Sequence, residues 1–239
     1  MKNAIIIGSD SDIAKGIEPL MLKDYEVITH WKRGMSMKSV IDCPRWDLCV
    51  IALGKVSPIG NWWELDMTEW TMCMDSNLLL PLKILKEIWP RRKSLTGSTV
   101  IWLAGSNPQK IMPGYSAYNT SKMAVLKLVE QLDAESPDTK FIALGTGIVN
   151  TKIHDATKKV SWSNQRLDEA LKNNDFTSME DIYKAIQWCV EQPKEVVGGR
   201  NICVSDLTLG LEGHLKRSSS FFKLRRDENR LSIFKGIEA

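Results

Sequence analysis

The sequence predicts an α/β fold in which helices cover both faces of a parallel sheet. Three observations predict it. Short, almost wholly apolar runs recur along the chain, as strands buried on both faces require. Amphipathic stretches of helical period separate these runs. A glycine-containing turn, Gly8-Ser9-Asp10-Ser11-Asp12-Ile13-Ala14, joins the first apolar run to the first amphipathic one.

Ala4-Ile5-Ile6-Ile7 reads as a buried strand that stops at Gly8. Asp12 to Leu22 reads as a helix, with Asp10 or Ser11 as its N-cap. Glu26-Val27-Ile28-Thr29 and Leu48-Cys49-Val50-Ile51-Ala52 follow as strands. Only Gly34 to Arg45 lies between Arg33 and Trp46, so a shortened strand at Val40-Ile41-Asp42 is expected, with an open or remodelled sheet edge. A long helix is expected from Glu69 to Trp89, then a strand at Thr99-Val100-Ile101-Trp102-Leu103 and a helix from Tyr118 to Glu135. Phe141-Ile142-Ala143-Leu144 is the next strand, Asp181 to Gln192 a helix, and Asn201-Ile202-Cys203-Val204 the last strand.

Two segments stand apart. Thr151 to Phe176 is polar, and its helix around Asn164 to Lys172 lacks a strong apolar stripe. Because it follows a strand end, residues 151–177 are expected to form a lid over the site. The tail beyond Asp206 is basic: from His214 to Ala239 it holds Lys216, Arg217, Lys223, Arg225, Arg226, Arg230 and Lys235 against Asp227, Glu228 and Glu238. The expected organisation is one nucleotide-binding and catalytic domain over 1–206 and a basic tail over 207–239.

The chain has 239 residues, 43% of them hydrophobic, enough for one domain with a substantial core. A net charge of +3 gives no reason to expect a nucleic-acid partner. No run of eighteen apolar residues marks a membrane span, and the apolar run from Ala4 to Ile7 is too short for a signal-peptide core. A cytoplasmic location is expected. Cys43, Cys49, Cys73, Cys189 and Cys203 are odd in number and form no C-x-x-C pair, so reduced, buried thiols are expected. His30, His154 and His214 are scattered and suggest no metal site.

Tyr118 and Lys122 carry the chemistry. Four residues apart on a helix, they share one face. A lysine ammonium beside a phenol lowers the phenol pKa, so such a tyrosine can pass a proton near neutral pH. The turn at Gly8 is where a dinucleotide pyrophosphate sits in a strand-turn-helix unit. Together these features point to hydride transfer between a nicotinamide cofactor and a carbonyl or alcohol.

From about residue 3 to residue 206 the chain resembles the short-chain dehydrogenase/reductase family in its compact, Rossmann-like, single-domain form. The family motif T-G-x-x-x-G-x-G appears as Ile7-Gly8-Ser9-Asp10-Ser11-Asp12-Ile13-Ala14, keeping only the first glycine. The N-A-G motif appears as Ala52-Leu53-Gly54, without its asparagine. The family's helix asparagine matches Asn77, which lies 41 residues before Tyr118. The Y-x-x-x-K motif is complete, and P-G-x-[IV]-x-T appears as Thr146-Gly147-Ile148-Val149-Asn150-Thr151.

The resemblance implies Tyr118 as proton donor, with Lys122 lowering its pKa and holding the nicotinamide ribose. It implies that Asn77 holds a relay water, and that Gly147, Val149 and Thr151 face the carboxamide and phosphate side of the cofactor. The family's serine precedes the tyrosine by about thirteen residues, and Ser106, twelve before Tyr118, is the candidate; counted from the strand pattern, the position falls on Ala104 or Gly105. No carboxylate follows the second strand, whereas Lys32 and Arg33 do. Two cations there suit a 2′-phosphate, so NADP(H) is favoured over NAD(H). Asp42 is a weaker candidate for the adenine, and Trp62, Trp63, Met112 and Trp162 are candidates for the substrate side.

The expected function is NADP(H)-dependent interconversion of a small-molecule carbonyl and a secondary alcohol, by a homodimer or homotetramer. The alternative is a dinucleotide-binding protein of the same fold with weak or no catalysis, acting as a sensor or assembly partner.

Overall fold

The computed structural model describes residues 2–93, 97–105, 108–160, 162, 165–209 and 223. Strands β1 (Asn3–Ile7), β2 (Val27–Trp31), β3 (Leu48–Ile51), β4 (Ser98–Leu103), β5 (Thr139–Gly145) and β6 (Arg200–Cys203) form one sheet in the order β2-β1-β3-β4-β5-β6. All five pairings are parallel.

Successive strand residues point to opposite faces, so each apolar run feeds two cores. Ala4, Ile6, Leu48, Val50, Ile101 and Leu103 pack under α1 (Asp12–Met21) and α8 (Met179–Glu191). Ile5, Ile7, Cys49, Ile51, Val100 and Trp102 pack on the other face, under α4 (Leu80–Ile88) and α5 (Ser116–Glu135). This two-sided burial is why the strands read as continuous apolar runs.

β1 lies between β2 and β3, and the chain leaves it towards β2 before crossing back to β3. That reversal of winding opens a crevice at the carboxyl ends of β1 and β3, the usual place for a ligand in such a sheet.

Two expectations change. The segment after β2 is not a short strand: Lys38–Ile41 is a helical turn (α2) whose Val40 is buried. β2 is therefore the sheet edge, because too few residues remain for a crossover and another strand. The long helix is three joined pieces, α3 (Met67–Met74), a π-helical turn (Asp75–Leu79) and α4, before a short 3-10 turn at Trp89–Arg91. Within residues 151–177, α7 (Gln165–Asn173) buries only Leu167 and Ala170 among its described side chains, in keeping with the weak apolar stripe of its sequence.

The five cysteines are buried and form no disulfide among the described residues. No helix among the described residues is long and apolar enough to cross a membrane. Lys223 is the one residue of 210–239 that is described.

Candidate active site

A cleft of about 390 Å³ opens at the carboxyl ends of the central strands. At one end it is walled by the turn that opens α1. Ser11 caps that helix, its side chain accepting from the Ala14 amide, while the amides of Asp12 and Ile13 have no intrahelical partner by position. Both residues line the cleft. Gly8 lies beneath them at φ +92°, and a Cβ there would stand 2.7 Å from the Leu53 amide nitrogen. Only glycine lets the turn approach the end of β3 so closely. Its neighbour Ser9 donates its amide to Trp31 O and does not line the cleft.

Ala52, Leu53 and Gly54 continue the wall, and Gly147, Val149 and Thr151 face it from the end of β5. Of the two expected phosphate cations, Arg33 lines the cleft, whereas Lys32 is exposed and outside it. Asp42 is also exposed and outside it.

Tyr118 and Lys122 stand at the other end, on the first two turns of α5. Lys122 is 5% exposed, and its Nζ donates to Leu103 O at 2.9 Å. The same Nζ is 5.8 Å from the centroid of the Tyr118 ring. Burial removes water from both groups and disfavours their charged forms. The Tyr118 phenol is pushed up to about 12, by burial and then by the neighbouring Cys73. Lys122 is pulled down to about 8 by burial, with Cys73 opposing. The expected lowering of the tyrosine pKa is therefore corrected: at neutral pH the phenol keeps its proton, and the more labile proton is on Lys122.

Asn77 is fully buried in the π-helical turn behind this pair. Its Oδ1 accepts from Lys55 N at 2.7 Å. Its Nδ2 donates to Lys55 O at 2.9 Å and to Ser121 Oγ at 2.8 Å, and lies 3.4 Å from Cys73 Sγ. Ser121 Oγ donates onward to Tyr118 O at 2.7 Å. Asn77 thus ties three chain segments together beneath the reactive pair.

Ser106 lies outside the described residues. Of the two alternatives, Ala104 is fully buried in the core. Gly105 lines the cleft, and a Cβ built on it would lie 3.8 Å from the Tyr118 hydroxyl. Gly105, thirteen residues before Tyr118, brings no side chain to this place.

Sequence reasoning missed Lys55, Cys73, Ser121, Lys152 and His154. Lys55 and Lys152 directly follow motif residues, Gly54 and Thr151, and that adjacency was the available signal. Lys55 lines the cleft, and its Nζ pairs with Glu69 at 2.6 Å. His154 lines it too, its pKa lowered by burial. Ile153, His154 and Ala156, from the start of the expected lid, also face the cleft.

Trp62 and Trp63 do not line the cleft. They are about two-thirds exposed, at 67% and 66%, with their rings edge to face. Their loop is tied to the one before Tyr118 by the Gly60 amide donating to Gly114 O at 2.8 Å. Trp162 covers Gly114 so closely that a Cβ there would meet its ring at 2.6 Å. Met112 is half-buried and outside the cleft. Among the described residues no group of three His, Cys, Asp or Glu side chains could hold a metal ion.

Residues 49–161 match a family model described as short chain dehydrogenase. An uncharacterised oxidoreductase of Schizosaccharomyces pombe is 23% identical over 201 residues, covering 78% of this chain and 81% of its own. Among solved structures, the short-chain dehydrogenase/reductase YIR035C of Saccharomyces cerevisiae superimposes with a TM-score of 0.74 at 19% identity, covering 87% of this chain and 98% of its own. A small-chain dehydrogenase in complex with NADPH superimposes with a TM-score of 0.69 at 15% identity, covering 84% and 95%.

Proposed function

Since the chain belongs to the short-chain dehydrogenase family, we propose that it is an NADP(H)-dependent oxidoreductase that interconverts a small-molecule carbonyl and a secondary alcohol. One observation carries the reading: Tyr118 and Lys122 line the same cleft as the glycine turn and the end of β5. A proton donor and a nucleotide-binding turn thus share one cavity.

The residues present fit a dinucleotide. The close approach at Gly8 shapes the turn, the first amides of α1 are free to meet phosphate, and Arg33 stands where a 2′-phosphate would lie. The backbone amides of Asp12 and Ile13, in the turn capped by Ser11, would meet the pyrophosphate. Ala52, Leu53 and Gly54 would border the adenosine half, and Gly147, Val149 and Thr151 the nicotinamide half. The bound nicotinamide would supply or accept the hydride.

Tyr118 gives its phenolic proton to the oxygen of a carbonyl undergoing reduction, or takes it back in the reverse direction. The protonated phenol at neutral pH suits the donor role. Lys122, when charged, stabilises the phenolate left behind and can reprotonate it. Asn77 and Ser121 position this pair through Tyr118 O. Exposed Met72 and Leu79, seven residues apart on α3 and the π-helical turn, support pairing of two chains through these elements.

A second reading, dinucleotide binding with weak catalysis, draws on Gly105, which brings no side-chain donor beside the Tyr118 hydroxyl. Two measurements on the purified full chain separate the readings. The first titrates NADPH and NADH by fluorescence, and the second follows NADPH oxidation with a panel of ketones and aldehydes. Tight NADPH binding with turnover supports the enzyme. Tight binding without turnover on any carbonyl favours the second reading. Binding of neither dinucleotide contradicts both.

A further inference from the structure

The cleft is crossed by an ion pair between the two walls expected to hold the cofactor. Asp12 opens α1, and Lys152 follows Thr151 in the segment after β5. Asp12 Oδ2 accepts from the Lys152 backbone amide at 2.8 Å. Lys152 Nζ stands 3.4 Å from Asp12 Oδ1 and donates to Asp10 O at 3.2 Å. Asp10, Asp12 and Lys152 all line the cleft. Asp12 replaces the second glycine of the turn motif, so a carboxylate stands where the turn would meet a phosphate group.

We infer that Lys152 is a pyrophosphate-binding residue that Asp12 holds in reserve: the Lys152 ammonium exchanges the Asp12 carboxylate for the dinucleotide diphosphate. The inference rests on the dinucleotide reading above.

The two contacts of Asp12 have separable roles. The bond to the Lys152 backbone amide fixes the segment after β5 and does not need the lysine side chain. The charge contact with Nζ is exposed, with side-chain accessibilities of 31% for Asp12 and 62% for Lys152, so it is weak and exchangeable. A diphosphate carries more negative charge than one carboxylate and is the stronger partner for the ammonium. The retained carboxylate then repels the same diphosphate, so Asp12 lowers cofactor affinity while Lys152 raises it.

A merely structural clasp predicts the same sign for removing either side chain; exchange predicts opposite signs. The test measures NADPH and NADH affinity by fluorescence titration of the full chain, as wild type, Asp12→Asn, Lys152→Met and the double variant. Asp12→Asn keeps an oxygen for the Lys152 amide and removes only the charge.

Exchange predicts that Lys152→Met weakens NADH and NADPH alike, by about fivefold or more, because both carry the diphosphate. It predicts that Asp12→Asn tightens both by about threefold, and by less than that when Lys152 is already Met. Weaker binding in both single variants, or unchanged binding in Lys152→Met, overturns the assignment of Lys152 and leaves the dinucleotide reading standing. Wild-type protein that binds neither NADPH nor NADH overturns the dinucleotide reading and this inference with it.

Discussion

Asn77 holds the main chain of Lys55 from both sides, its Oδ1 accepting from Lys55 N at 2.7 Å and its Nδ2 donating to Lys55 O at 2.9 Å. The π-helical turn allows this by bringing a fully buried amide out of the helical path towards the loop after β3. The same Nδ2 reaches Ser121, and Ser121 reaches Tyr118 O, so one side chain aligns the cleft wall with α5.

Asn77→Leu removes these bonds, leaving the half-buried Lys55 amide without its side-chain partner and Lys55 O with the Cys73 thiol. A buried polar group left unsatisfied costs about 1–3 kcal/mol, so the variant is expected to lose about that much stability per stranded group. Chemical denaturation checks it. Unchanged stability would show that Lys55 finds other partners.

The pH dependence follows from Lys122. Its pKa in the folded chain lies below its ordinary value because burial disfavours the charge. The charged lysine therefore opposes folding below about pH 8, and that penalty is relieved as pH rises from about 8 towards the unfolded value near 10.4. Lys122→Met is expected to melt higher than wild type at pH 7, with the difference shrinking over that window. Activity has the opposite slope: kcat/KM for carbonyl reduction should fall as pH rises past about 8, when Lys122 loses its proton. A flat kcat/KM profile from pH 6 to 10 contradicts this role.

Gly105 stands beside the Tyr118 hydroxyl and brings no side chain there. It sits at φ +84°, where a side chain strains the backbone by about 1–2 kcal/mol. Gly105→Ala is expected to lower the melting temperature. It should also reduce kcat/KM more for bulky ketones than for small ones, because its methyl would stand 3.8 Å from the phenol oxygen. Equal loss on both substrate sizes would mean that the glycine serves the backbone alone.

Arg33 lines the cleft and Lys32 does not. Arg33→Ala is therefore expected to weaken NADPH by about tenfold, leave NADH nearly unchanged, and exceed the effect of Lys32→Ala. Parallel titrations of the two variants check this. An equal loss of NADH affinity would place Arg33 against a part common to both cofactors.

Much of this was legible in the sequence because the signals are local. The strands are short apolar runs buried on both faces, and Tyr118 and Lys122 share a face by helical spacing alone. Less legible were features set by contacts between distant segments. Burial in the folded chain raises the pKa of Tyr118, the opposite direction from that suggested by the spacing of Tyr118 and Lys122 alone. The edge at β2 depends on how few residues separate Arg33 from Trp46, and there a short helix proved a better use of the chain than a strand. The pair between Asp12 and Lys152 joins residues 140 positions apart, which no periodicity reveals.

The central claim is that Tyr118 moves the proton in a cleft that separately binds the dinucleotide. Tyr118→Phe removes one oxygen and keeps the ring, so turnover and NADPH affinity of that variant test the claim most directly. The account predicts that turnover falls by about 100-fold or more while NADPH affinity stays within about threefold of wild type. Wild-type turnover in Tyr118→Phe would contradict it.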